Sequence, residues 1–259
     1  MSTNLPVNTF KANILAGKRT WGAWLQLASS SAAEAMARAG FEFLVVDMEH
    51  VPNEVPTVLP QLQAIASAGK QGVVRLPWND AVVVKKVLDA GALTLLFPMI
   101  QSVEEATRAV ASTRYPPGGI RGVAGTTRAS GYGTYADYAK HASTEICVTL
   151  QLETALAVER LPDIAKVDGV DGIFIGPADL AASMGLIGEL NHPDVRAKLK
   201  SAAAACKTAG KASGILALNE ETAALYADYG YTFIAVGSDL GLMMQRAKAV
   251  VEFARKQSG

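Results

Sequence analysis

Eight short apolar runs follow one another along this chain, each separated from the next by a stretch patterned for helix. Continuous apolar runs of this length suit strands buried on both faces, as in a parallel sheet. The helical stretches between them supply the crossovers that such a sheet requires. The runs are Thr20–Ala28, Phe43–His50, Gly72–Pro77, Thr94–Gln101, Glu145–Thr154, Gly172–Asp179, Ala212–Leu218 and Thr232–Gly237. Helices are predicted over Ser31–Ala39, Val55–Ala68, Ala81–Ala90, Val103–Thr113, Tyr135–Ser143, Ala155–Ile164, Asp194–Ala209, Glu220–Tyr229 and Leu240–Lys256. A shorter helix at Phe10–Ala16 is placed to close the bottom of a barrel, and Met184–Pro193 reads as irregular. Eight units favour an α/β fold closed as a (β/α)8 TIM barrel, one domain over residues 1–259. No GxGxxG follows the first run, so a dinucleotide-binding sheet has no support.

One segment breaks the pattern. Tyr115–Tyr135, YPPGGIRGVAGTTRASGYGTY, is rich in glycine and has no sustained periodicity, which marks a long functional loop. Its Arg121 and Arg128 read as salt-bridged, as solvated, or as contacts for an anionic second substrate.

Bulk properties remove several function classes. The formal net charge is zero and no basic cluster occurs, so the footprint of a nucleic-acid-binding protein is missing. No apolar run approaches the roughly 20 residues of a membrane span, and the N-terminus lacks the pattern of a secretory signal. The two cysteines, Cys147 in a strand and Cys206 in a helix, read as buried reduced thiols, which fits the cytoplasm.

In a parallel barrel the active site is built at the carboxyl ends of the strands. Polar residues gather at those ends: Trp24 and Gln26, then Asp47, Glu49 and His50, then Arg75, Gln101, Gln151 and Glu153, Asp179, Asn219 and Asp239. QLET and GIFIGPAD each stop on a carboxylate, Glu153 and Asp179. Two carboxylates, with other positions left to water and substrate, suit Mg²⁺ or Mn²⁺. The same two residues read equally as helix N-cap and first-turn acids held by the helix dipole. Gly176, Pro177 and Ala178, just before Asp179, look like a backbone anion pocket. Asp47 and His50 suit an acid–base dyad in which the carboxylate fixes the imidazole tautomer, the alternative being a structural loop histidine. Arg75 ends an apolar strand, so it pairs with Asp47 or Glu49 or faces an anionic ligand. No strand carries a lysine, which argues against Schiff-base chemistry.

At these residues the sequence resembles the HpcH/HpaI family of class II pyruvate aldolases. The likeness covers nearly the whole chain, through WGAWLQL, AGFEFLVVDMEH, VVRLPWND, VLDAGALTLLFPMI, RYPPGGIRGV, QLET, GVDGIFIGPADLAASMG and AVGSDLGL. The resemblance implies a (β/α)8 barrel whose last helix is exchanged with a partner subunit, commonly in a homohexamer built as a trimer of dimers. It implies that Glu153 and Asp179 hold a divalent metal, Mg²⁺ or Mn²⁺ with Co²⁺ a further candidate, with no nucleotide cofactor. By the same likeness Arg75 contacts the pyruvate oxygens and the enolate, and backbone amides near Ala178 receive the pyruvate carboxylate. Gln151, Trp24 and Leu216 line the pocket, Asp47 and His50 form the acid–base pair, and Asp89 reaches the histidine of a neighbouring subunit. The long loop after the fourth strand departs from the family pattern and is expected to set the aldehyde.

The expected reaction is reversible aldol cleavage of a 2-oxo-4-hydroxy acid to pyruvate, or a close 2-oxo acid such as hydroxypyruvate, plus an aldehyde, through a metal-stabilised enolate. Oxaloacetate decarboxylation would form the same enolate. A citrate-lyase-like action on CoA thioesters and a non-catalytic oxo-acid-binding barrel are the other readings.

Overall fold

The computed structural model describes residues 6–258. Its strands are β1 (Thr20–Leu25), β2 (Phe43–Asp47), β3 (Gln71–Arg75), β4 (Thr94–Phe97), β5 (Cys147–Leu152), β6 (Gly172–Ile175), β7 (Ala212–Ala217) and β8 (Phe233–Ser238). They lie in sequence order in one closed barrel, each parallel to its neighbours, with β8 pairing back onto β1. The expected (β/α)8 barrel is thus the observed fold.

Helix α1 (Thr9–Leu15) precedes β1, and α2 (Ser30–Arg38), α3 (Val55–Ser67), α4 (Ala81–Asp89) and α5 (Val103–Thr113) follow the first four strands. A 3-10 turn at Arg128–Gly133 and α6 (Tyr138–Glu145) lead into β5. Then come α7 (Ala155–Glu159), α8 (Leu161–Ile164), α9 (Pro177–Ser183), α10 (Pro193–Thr208), α11 (Glu220–Tyr229) and α12 (Asp239–Ser258). Side chains of Ser29, Asp80, Ser102, Thr154 and Asn219 accept from first-turn backbone amides, which fixes five of the helix starts. Among the described residues no helix is long and apolar enough to cross a membrane.

Two packed layers hold the barrel. The larger lies between strands and helices and draws on every strand. The smaller fills the barrel interior with Trp24, Phe43, Phe174 and Phe233, and α1 plugs its lower end through Phe10 and Ile14. Phe10 sits 5.0 Å from Phe43 and 5.6 Å from Phe233 between ring centroids. Gly22 and Gly214 leave the space these rings occupy, since a Cβ at either would overlap Phe43 or Phe233. Both cysteines are free and buried.

Several boundaries differ from the sequence expectation. The sixth strand stops at Ile175, because Pro177 has no N–H for the ladder and its fixed φ starts a helix. Asp179 therefore stands in the first turn of α9 and not on a strand. Pro98 likewise follows the end of β4 at Phe97. The single helix expected over Ala155–Ile164 is two, α7 and α8, with Pro162 at the start of the second.

Candidate active site

Strand side chains alternate inward and outward, so residues two apart share a face. Phe43, Val45 and Asp47 of β2 form one inward series, and Val73 and Arg75 of β3 form the next. On β5 the series Cys147, Thr149, Gln151 ends at Glu153 just past the strand. The polar members of these series come last, at the carboxyl rim. A cavity of about 700 Å³ opens there, lined among others by Trp24, His50, Arg75, Gln151, Gly176, Pro177, Ala178, Asp179 and Leu216.

Arg75 is the centre of this rim. Its Nε donates to Asp47 Oδ1 at 2.9 Å and its Nη2 to Asp47 Oδ2 at 2.5 Å. Its Nη1 lies 2.9 Å from Glu49 Oε2. Its guanidinium carbon sits 4.9 Å from the centre of the Trp24 ring, within range of a cation–π contact. Arg75 thus pairs with both acids and also borders the cavity. Burial would push the Asp47 carboxyl up, but the hydrogen bond and charge of Arg75, with backbone N–H donors, hold it below the usual range.

The expected Asp47–His50 dyad requires correction. Asp47 is fully buried, and its oxygens accept from Arg75, from Trp24 Nε1 at 3.2 Å and from the backbone amides of Glu49 and His50. It meets His50 at the backbone and not at the ring. The His50 side chain is 63% exposed, and its Nε2 lies 3.9 Å from Glu49 Oε2. Glu49, which the sequence placed at the rim without a role of its own, is the carboxylate facing both the ring and Arg75.

Glu153 is 2% exposed. Its Oε1 accepts from the backbone N–H of Met99 at 2.8 Å and its Oε2 from Gln151 Nε2 at 2.5 Å. Met99 takes the left-handed φ of 53° to present that amide, an unusual conformation for a residue with a side chain. Gly176 is necessary here, since a Cβ would fall 2.5 Å from Glu153 Oε2. Burial pushes the Glu153 carboxyl up to about 7, and the charges of Glu49 and Asp179 act in the same direction. Burial likewise raises Glu49, where Asp47 and Asp179 add to the effect and Arg75 opposes it.

Hard oxygen donors grouped this way fit a divalent cation. The nearby carboxylates outnumber the one guanidinium, and that guanidinium is already committed to Asp47 and Glu49. Among the described residues no three His, Cys, Asp or Glu side chains are arranged to hold a metal, and the charge of Asp179 is felt at Glu153.

Other expected rim residues have structural roles. Asp239 accepts from the backbone amides of Gln26, Leu27 and Leu240, tying the start of α12 to the end of β1. Gln101 accepts from Thr154 and lies outside the cavity lining, whereas Asn219 caps α11 and borders it. Asp89 ends α4, at the opposite end of the barrel, and bonds to Arg121 Nη2 at 2.7 Å. The long loop follows α5 and so also belongs to that lower end. It does not border the cavity of its own chain.

Residues 20–245 match the family model of the HpcH/HpaI aldolase/citrate lyase family. The chain belongs to this family. It is 50% identical over 244 residues to the 4-hydroxy-2-oxo-heptane-1,7-dioate aldolase of Shigella sonnei, covering 94% of this chain and 93% of that one. Identity to the aldolase of the same description from Klebsiella pneumoniae is 51%, over 94% of this chain and 92% of the relative. Among solved structures, an HpcH/HpaI aldolase/citrate lyase family protein from Burkholderia cenocepacia superposes with a TM-score of 0.93 at 41% identity, covering 96% of this chain and all of that one. This HpcH/HpaI member is a carbon–carbon lyase of the aldolase class, from a family dependent on divalent metal.

Proposed function

We propose that this chain cleaves 4-hydroxy-2-oxo acids reversibly to pyruvate and an aldehyde, with a 4-hydroxy-2-oxo diacid as the physiological type of substrate. The observation that carries this reading is the placement of Arg75 beside Glu49, Glu153 and Asp179 at one barrel rim, in a chain half identical to aldolases of that description.

Glu153 and Asp179 would hold the divalent ion, Mg²⁺ or Mn²⁺. When bound, the ion supplies Lewis-acid polarisation of the 2-oxo group and charge for the enolate oxygen. The chain's own residues do the rest. Two of the five N–H bonds of Arg75 go to Asp47 and Nη1 forms an ion pair with Glu49, so the guanidinium keeps donors for the oxygen on which enolate charge develops. Asp47 and Trp24 hold the guanidinium flat and aimed. Gly176, Pro177 and Ala178 take the carboxylate end of the oxo acid, while Gln151 and Leu216 close the wall. The His50 imidazole moves the proton to and from the substrate, with Glu49 facing Nε2. Asp89 lies at the far end of its own barrel, so it can serve a His50 only across an interface with a second copy.

Helix α12 supports such an assembly. It exposes Leu242, Met243, Met244, Val250, Val251 and Phe253 and meets its own barrel chiefly through β1 and β8. We assign this face to a second copy of the chain, and a Phe253→Asp variant that kept the native mass of the assembly would refute it. For the reaction, the test is pyruvate release from 4-hydroxy-2-oxoheptane-1,7-dioate with Mg²⁺ or Mn²⁺, read by coupled lactate dehydrogenase. Release that is saturable and ends with chelator supports the reading, and no release from the folded, metal-loaded protein rejects it.

A further inference from the structure

A second cavity, of about 520 Å³, opens at the end of the barrel away from Glu153. Gln71 and Gly72 at the start of β3, Leu93 before β4, and the Arg128–Gly133 turn border it. It shares no lining residue with the larger cavity. Its charge is one-sided. Lys70 and Arg128 line it, and among the described residues no carboxylate does.

The two arginines of the long loop are treated differently. Arg121 is fully buried, but Asp89 answers its charge at 2.7 Å and the Tyr115 ring covers it at 4.5 Å. Arg128 is half-buried, and its hydrogen-bond partner is the neutral carbonyl of Ala90, 2.9 Å from Nη1. Its position is set by the fold. Gly91, at a φ of +94°, lies against the guanidinium, where a Cβ would overlap Nη1. Lys70 is also half-buried, and among the described residues its amine has no ion pair or hydrogen bond. Partly desolvating two cations without a carboxylate carries a cost that a carbonyl only partly offsets. The walls around them are apolar or aromatic, including Leu62, Leu93 and Tyr132.

We propose that this cavity binds a small organic anion, a carboxylate, sulfonate or phosphate ester carried on an apolar or aromatic body. The charged head meets Arg128 and Lys70, and the body lies on Leu62, Leu93 and Tyr132. The site goes beyond the aldolase reading, because it stands apart from the reaction cavity of the same chain.

The test uses 1-anilinonaphthalene-8-sulfonate as the anionic probe and N-phenyl-1-naphthylamine as its uncharged counterpart, each titrated by fluorescence into the full chain. The expected result is saturable binding of the anion, weakened about tenfold in Arg128→Gln and several-fold in Lys70→Gln. The uncharged probe should bind alike to all three proteins. Thermal unfolding shows that each variant is folded, and Lys70→Gln carries the test if Arg128→Gln is not. Unchanged anion affinity in the folded variants would overturn the proposal. So would equal losses for both probes, or displacement of the anion by pyruvate with Mg²⁺, which would make the cavity part of a reaction site.

Discussion

Asp47 and Arg75 are in-register partners on adjacent strands, and two side-chain hydrogen bonds at 2.9 and 2.5 Å join them. The backbone pairing itself fixes this geometry, so the guanidinium plane is set before any substrate arrives. A lysine has one compact charge and cannot span both carboxylate oxygens while still reaching the cavity. Arg75→Lys should therefore lower kcat/KM by about 100-fold or more with little change in melting temperature. Activity within a few-fold of the parent would contradict this role.

The pH dependence of the metal-free protein follows from Glu153. Its carboxyl is raised from 4.5 to about 7, so the folded chain binds that proton more tightly than the unfolded chain does. The resulting stability is complete below about 4.5 and is lost as pH rises through about 7. Glu49 shifts in the same direction, whereas the lowered Asp47 acts only in the acid range. Chelator-treated protein should be more stable at pH 5.5 than at pH 8, by on the order of 2–3 kcal/mol at most, and so melt at a higher temperature. Glu153→Gln should flatten most of that difference in a calorimetric series.

Much of this site was legible in the sequence, because the inward series of a barrel strand has a period of two and its last member points at the rim. Asp47, Arg75, Gln151 and Glu153 all fall on such series. Asp179 was found by its motif, and of its two readings the first-turn one describes its place. The strand was drawn too long, because a four-residue strand followed at once by a proline-started turn looks like one longer apolar run. The ring partner of His50 was also misread. Sequence spacing puts Asp47 three residues away, yet a buried carboxylate with a guanidinium in register turns to that charge, leaving Glu49 to face the imidazole. Met99 left no signal at all, because its part is played by a backbone amide in a left-handed conformation. The long loop was visible as a loop, but its side of the barrel depends on counting connections: a segment between a helix and the next strand returns to the lower end.

Gly176 should be intolerant of any side chain. Gly176→Ala places a Cβ 2.5 Å from Glu153 Oε2 and must displace that carboxylate or the start of α9. We expect metal affinity to fall by about tenfold or more while the far-ultraviolet dichroism stays unchanged. Unaltered metal affinity by calorimetric titration would show that Glu153 is not held where the metal needs it.

Asp89 and Arg121 form an ion pair with the arginine fully buried. Removing only the acid strands a charge, so Asp89→Asn should cost about 3 kcal/mol. Adding Arg121→Met should restore part of it, since a packed apolar chain tolerates the site better than an orphaned cation. Urea unfolding of the two single variants and the double variant measures this, and additive losses would contradict the pairing.

The central claim is that Arg75 and the carboxylates beside it form an enolate-generating site. The most direct measurement is proton NMR of the pyruvate methyl signal in D₂O, with the purified chain, with and without Mg²⁺ or Mn²⁺. The account predicts loss of the signal that requires the metal and disappears in Arg75→Ala. No exchange with any metal in the folded protein, or full exchange in Arg75→Ala, would contradict it.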